Sequence, residues 1–280
     1  MNFSNIIEKF KDLIGNQFVL TKEWNKLPHT KGWRYGKGSA LAVLKPGKLT
    51  QIWKILEICV ESDLIVIMQA ANTGLTGGST PFGSDYDRPI VIINTMRIKD
   101  IHIIKEGSQI VGLTGSTLYG LEKKLKPYGR EPHSIIGSTS IGASIIGGIC
   151  NNAGGSLVQR GPSYTEMALY ARISKTGNLE LVNELGINLG SNPEEILDNL
   201  QNQNYDESDI HETDQLGSDN KYSEIVREIH KSTPARYNSD SRLLYGASGS
   251  AGKIAVFAVR LDTYVSPTEN KVFYVGTNDP

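Results

Sequence analysis

An α+β fold with a small parallel unit at its start is what this 280-residue sequence predicts. Three patterns carry that reading. A strand, a helix and a second strand fit between Ala40 and Met68, which demands a crossover and parallel strands. Two hairpin patterns then follow, over 98–113 and 166–182, so the later sheet contains antiparallel pairs. Amphipathic helical stretches lie between these strands and supply the covering layers.

Phe3, Ile6, Ile7, Phe10, Leu13 and Ile14 repeat at helical spacing, so 3–15 reads as a helix. A Gly/Trp/Tyr segment, Trp24 to Gly38, precedes the first parallel strand, Ala40 to Leu44, which Lys45-Pro46-Gly47 ends. Ile52, Ile55, Leu56 and Cys59 share one face of a helix over 49–60, and Leu64 to Met68 is the second strand. Ile90 to Asn94 is the third. Ile98 to Ile104 and Gln109 to Leu113 form a hairpin around Glu106-Gly107, and Thr117 to Lys126 is a helix closed by Pro127 and Gly129. Glu166 to Ser174 and Leu179 to Val182 pair across the turn Lys175 to Asn178. A short helix is expected over 194–200, a mobile polar loop over 201–220 and a helix over 222–230. Ala251 to Tyr264 and Lys271 to Val275 alternate as strands do.

The composition excludes several classes. With 29 Lys+Arg against 30 Asp+Glu the net charge is −1, without the basic excess of a nucleic-acid binder. At 39% hydrophobic residues the chain can build a core. No run reaches the roughly 18 apolar residues of a membrane span, and Met1 to Phe10 lacks a signal-peptide pattern. Two isolated cysteines, Cys59 and Cys150, form neither a disulfide framework nor a zinc site. A reducing, cytoplasmic location is the expectation.

Glycine, 29 of 280 residues, concentrates in two places. Gln69-Ala-Ala-Asn-Thr-Gly-Leu-Thr-Gly-Gly-Ser79 follows a buried strand. Gly74, Gly77 and Gly78 let main-chain N–H groups approach an anion, and Asn72, Thr73, Thr76 and Ser79 add side-chain donors. The loop holds no Lys or Arg, which suits a diphosphate held by backbone dipoles. A ligand-free glycine turn is the other reading. The second stretch, Ile135 to Gly155, has more glycine than a packed helix accepts at about 1 kcal/mol each. It reads as backbone lying against a flat ligand, or else as elements packed closely at small residues.

Other motifs fail. No G-x-G-x-x-G follows the early strands, and Gly252-Lys253 lacks the Ser/Thr of a P-loop because Ile254 stands there. There is no G-x-S-x-G and no H-E-x-x-H. Of the histidines, His29, His211 and His230 sit in polar contexts and His102 in an apolar strand. His133, just before the second glycine stretch, is the one placed near a ligand. Arg160 and Arg172 can meet an anion or pair with acids.

Three segments carry a resemblance: Gln69 to Pro81, Arg130-Glu-Pro-His-Ser134, and Ile146-Gly-Gly-Ile-Cys-Asn-Asn-Ala-Gly-Gly-Ser-Leu-Val-Gln-Arg-Gly-Pro162. Thr233 to Asn238 and Ala251 to Leu261 add to it. The chain resembles the quinone-dependent D-lactate dehydrogenases, flavoproteins of the vanillyl-alcohol-oxidase/PCMH superfamily. The resemblance implies a two-lobed PCMH-type FAD-binding domain, a small parallel α/β lobe plus a larger mixed-sheet lobe with flanking helices. FAD is expected to lie non-covalently between them. Ala70, Ala71, Asn72, Thr73, Gly74, Gly78 and Ser79 are then the diphosphate loop. Gly137, Ser144 and Gly154 line the cofactor from the second lobe, and Val256 contacts its adenine half or the backbone nearby.

The lobes are expected at about 1–95 and 96–265, with 266–280 opening a truncated cap domain. Family members are about twice as long, and their catalytic groups come largely from the cap, so the catalytic residues here are unknown. The implied reaction oxidises D-lactate to pyruvate and passes electrons to a quinone. A separate C-terminal half is a possible partner, and would bring the protein to the cytoplasmic face of the inner membrane. The alternatives are a non-catalytic flavin-binding fragment, or the same fold acting on another 2-hydroxy acid.

Overall fold

The structure is a computed structural model that describes residues 3–157, 159–228, 230 and 245–278. The Thr233–Asn238 motif lies outside the described residues. The first sheet is built from α1 (Phe3–Ile14), β1 (Val19–Leu20), α2 (Glu23–Thr30), β2 (Ala42–Leu44), α3 (Leu49–Glu61), β3 (Ile65–Gln69) and β4 (Ile90–Asn94). Its strand order is β1-β2-β4-β3. The strand–helix–strand unit forms with its strands parallel, but β2 and β3 do not touch: β4 enters between them, parallel to both. The reason is visible in β4, whose five residues are all buried. Val91 and Ile93 enter one core, Ile90 and Ile92 another. A strand apolar on both faces gains most at the centre of a sheet.

The second sheet is larger. It uses β5 (Ile101–Ile104), β6 (Gln109–Leu113), α4 (Leu118–Leu125), β7 (Arg130–Glu131), α5 (Ile145–Cys150), β8 (Ala168–Ile173), β9 (Leu179–Asn183), α6 (Pro193–Asn202), α7 (Tyr222–Ile225), β10 (Ala255–Asp262) and β11 (Tyr264–Val265). Five strands pair antiparallel in the order β5-β6-β10-β8-β9, and β7 pairs with β11 apart from them. Both expected hairpins form. Thr117 caps α4 by accepting the Gly120 N–H, and Gly129 closes the turn beyond it at φ +63°.

One core joins the sheets. Phe10 of α1 and Ile52 and Ile55 of α3 pack in one cluster with Val111, Leu169, Leu197 and Phe257. The far face of the second sheet packs under α4 and α5 through Leu121, Leu125, Ile145 and Ile149. A bulge in β10 between Val256 and Ala258 lets Phe257 and Ala258 face the shared core while Val256 and Val259 face the other. Arg260, 2% exposed, is satisfied by neutral acceptors. It donates to Gln109 Oε1 at 2.9 and 2.7 Å and to the Leu185 carbonyl at 3.1 Å.

Three expectations are corrected. Residues 201–220 are not a detached loop. Tyr205 Oη lies 2.7 Å from His102 Nδ1, Ile210 bridges Ile187, and the Leu216 N–H donates to Glu166. The helix expected over 222–230 is one turn long. Lys271–Val275 forms no strand: alternation needs a neighbour to become a ladder, and these side chains are exposed. No helix among the described residues is long and apolar enough to cross a membrane.

The His102–Tyr205 contact makes stability depend on pH. Burial pushes the His102 imidazole down to about 4, with Lys124 acting in the same direction and Asp100 against it. The neutral ring is the form the fold accepts. Between pH 6.5 and 4 the unfolded chain therefore binds more protons, so this contribution is complete above 6.5 and is lost as pH falls toward 4. It amounts to no more than about 3 kcal/mol. Denaturation at pH 7 and pH 4.5 should show a larger difference for the wild type than for His102→Gln. Equal differences would remove His102 from the account.

Candidate cofactor-binding site

The site grows from the C-terminal ends of β3 and β4. Gln69, the last residue of β3, is buried and braces both ends of the glycine-rich loop. Its Nε2 donates to the Ser79 carbonyl at 2.7 Å and to the His29 carbonyl at 2.9 Å. Its Oε1 lies 2.7 Å from His29 Nδ1 and accepts from Asn94 Nδ2 at 3.1 Å. Burial lowers the His29 pKa, so the ring is held neutral at pH 7. Asn94 also donates to the Ala70 carbonyl at 3.0 Å.

Within the loop, Asn72 takes a left-handed conformation at φ +54°. Its Nδ2 donates to the Lys31 carbonyl at 2.9 Å, and its Oδ1 accepts from Ser79 Oγ at 2.8 Å. This corrects one expectation: the Asn72 and Ser79 side chains are spent on bracing the loop and are not free donors. What remains is main chain. Among the described residues, the N–H groups from Asn72 to Gly78 make no hydrogen bond. A Cβ added at Gly74 or Gly78 would meet nothing within 4 Å. Seven consecutive unspent N–H groups beside open space form a cradle for an anion.

The second glycine stretch divides in two. At Gly137, Gly142 and Gly154 an added Cβ would meet nothing within 4 Å. At Gly155 it would lie 1.9 Å from the Ile135 carbonyl oxygen, and at Gly147 2.7 Å from Ser144 Oγ. Close packing therefore accounts for some of these glycines and open space for others. The stretch also contains a helix after all, α5, because Ser144 caps it by accepting the Gly147 N–H at 3.0 Å. The Ser144 hydroxyl proton is left for another acceptor.

A short chain of bonds brings the two stretches to one end of the fold. Thr95 N donates to the Gln69 carbonyl and Thr95 Oγ1 to the Thr114 carbonyl, at 2.8 and 3.2 Å. Gly115 N donates to the Ile98 carbonyl at 2.8 Å, and the Ser116 carbonyl accepts from Ile145 N at 3.0 Å. Val256 buries its side chain under α5. Its strand runs past the end of β6 by three residues, where Ala255 and Val256 pair with β8.

Other candidates fall away from the chemistry. Arg160 pairs with Glu131, donates to the Pro132 carbonyl at 2.9 Å and covers the Tyr264 ring at 4.1 Å. Arg172 pairs with Glu180 at 3.2 Å on the β8–β9 hairpin. His133 is buried. Burial pushes Cys59 up to about 12 and Cys150 up to about 11, so neither thiol is ionised at neutral pH. A cleft of about 630 Å³ between Arg130, Arg160, Asp219 and Asp262 escaped the sequence reading. Its polar groups serve the fold: Arg130 donates to the Thr263 carbonyl, and Asp262 accepts from Gln109 and Ser218.

The sequence reading also missed a hairpin-like turn, 31–37, that lies on the loop. Lys31 bridges Lys37, and Gly32 N donates to the Gly36 carbonyl at 2.8 Å. Gly36 and Gly77 approach so closely that a Cβ on Gly36 would stand 3.2 Å from the Gly77 Cα. Both have positive φ.

Residues 40–177 match the model of the FAD binding domain family. The chain is 55% identical over 278 residues to the quinone-dependent D-lactate dehydrogenase of Haemophilus influenzae, covering 99% of this chain and 49% of that protein. The protein of the same name from Escherichia coli is 54% identical over 268 residues, 96% of this chain and 47% of its own. The chain thus spans about half the length of the curated relatives it matches. Among solved structures, p-cresol methylhydroxylase superposes with a TM-score of 0.60 at 14% identity, over 95% of this chain and 44% of that one. The fold is of the PCMH type.

Proposed function

We infer, from a chain whose residues 40–177 match the FAD binding domain family, that it holds FAD non-covalently and is the cofactor-carrying part of a D-lactate dehydrogenase. The observation that carries this is the run of unspent N–H groups from Asn72 to Gly78 beside the open glycines. In this reading the main chain of 70–74 and 78–79 holds the diphosphate. Gly137, Ser144, Gly154 and the Val256 main chain line the cofactor from the five-stranded side. Bound FAD supplies an acceptor for a hydride from the substrate carbon. The chain's own part is to hold and orient.

The identity to the two relatives, which carry D-lactate and quinone in their names, supports D-lactate as substrate and a quinone as electron acceptor. A quinone acceptor puts the complete protein against a membrane surface. Lobes of about 1–95 and 96–265 hold the cofactor between them, and the residues that remove the substrate proton come from a cap beyond residue 265, joined or supplied as a separate half. The test is reduction of the FAD-loaded full-length protein under anaerobic conditions. D-lactate should bleach the flavin, while L-lactate and glycolate should not. Bleaching by glycolate in preference to D-lactate, or by none of the three, would overturn the substrate assignment.

A further inference from the structure

The glycine-rich loop contains no cation, yet the anion it is shaped for carries two negative charges. The turn 31–37 lies on that loop. The Lys31 carbonyl accepts from Asn72, and a Cβ on Gly77 would stand 3.1 Å from the Tyr35 carbonyl oxygen. Along this turn the sequence reads Lys-Gly-Trp-Arg-Tyr-Gly-Lys, with three cations and no acid in seven residues. Lys31, Arg34 and Lys37 are all exposed, and among the described residues no carboxylate pairs with any of them. Nearby acids are taken: Glu23 lies 2.7 Å from Lys26, and Asp87 lies 3.2 Å from Arg88. Asp85 alone remains on the facing 82–88 turn, without an ion pair among the described residues. Lys31 and Lys37 are also register partners, and like charges directly opposite are unfavourable unless a third charge of opposite sign sits beside them.

We propose that the turn 31–37 is a cationic clamp that supplies, through Lys31, Arg34 and Lys37, the positive charge the diphosphate loop lacks. This rests on the FAD reading. It assigns these residues a binding role, separate from the main-chain cradle: the cradle fixes the position of the diphosphate and the clamp neutralises it. Exposed cations act through a field that salt screens, with a Debye length of about 10 Å at 0.1 M. Ionic strength therefore separates charge from shape.

The test is FAD titration of the apo chain at low and high salt, for the wild type, for Lys31→Gln/Arg34→Gln/Lys37→Gln, and for the surface control Lys175→Gln. At low salt the triple variant should bind about 30-fold more weakly, the gap closing to less than about threefold at 1 M salt. The control should match the wild type. Lys31→Arg/Lys37→Arg should retain the wild-type affinity and salt slope. The melting temperature of each apo protein reports folding, and Arg34→Gln alone, at the exposed tip, gives the same comparison should the triple variant not fold. Affinity unchanged in the variants, or lowered equally at both salt concentrations, overturns the clamp and leaves the FAD reading standing. A wild-type chain that binds no FAD overturns the FAD reading itself.

Discussion

Gly115→Ala is expected to lower stability by about 3 kcal/mol, which is about 6–12 °C in melting temperature for a chain of this size. The reason is local and steric. A Cβ at Gly115 would lie 2.2 Å from the Thr95 carbonyl oxygen and 2.7 Å from that of Ile98. Both are main-chain atoms and cannot swing aside. Gly115 is buried where the chain leaving β6 meets the chain leaving β4, and its own N–H donates to Ile98. The methyl group therefore pushes apart the two sheets at the end where the cofactor site is proposed. Gly154→Ala is the matched comparison. Its Cβ enters open space, so stability should stay within about 0.5 kcal/mol. Thermal unfolding of the two variants side by side decides it. A Gly115→Ala protein melting within 2 °C of the wild type would contradict the close approach at this junction.

Gly74→Asp should reverse that pattern. The apo protein should melt as the wild type does, because a Cβ at this position enters open space, with nothing within 4 Å. FAD affinity should fall by a factor of about 100 or more, since a carboxylate then stands beside the N–H groups proposed to receive the diphosphate and like charges in contact cost several kcal/mol. Equilibrium titration measures this, and an affinity within threefold of the wild type would exclude the loop from the diphosphate site. Gly115 and Gly74 thus separate two uses of glycine, close packing in one and access in the other.

Much of this was legible in residue patterns because the signals are local. Pro127 and Gly129 after an apolar helical repeat mark a helix end, and Lys175 to Asn178 marks a hairpin turn. Glycines in series after a buried strand mark a loop that comes close to something. Strand order was not legible, because parallel strands adjacent in sequence need not be adjacent in space. The one hint was β4, apolar on both faces, as a central strand must be. The polar composition of 201–220 suggested mobility, yet Tyr205 and Ile210 are enough to anchor it. Glycine content argued against a helix at 145–150, but a single Ser cap and burial under α4 and β10 outweigh that propensity. The turn 31–37 was missed as part of the site because it lies about 40 residues upstream of the loop it touches. Its register pair of lysines is visible only once the chain folds back.

The central claim is that the two glycine-rich stretches together form one FAD site. The most direct measurement is the flavin content of the chain after mixing with FAD and gel filtration, read from its visible absorbance. One flavin retained per wild-type chain, lost in Gly74→Asp without loss of fold, is the predicted result. A folded wild-type chain that emerges colourless would contradict the claim.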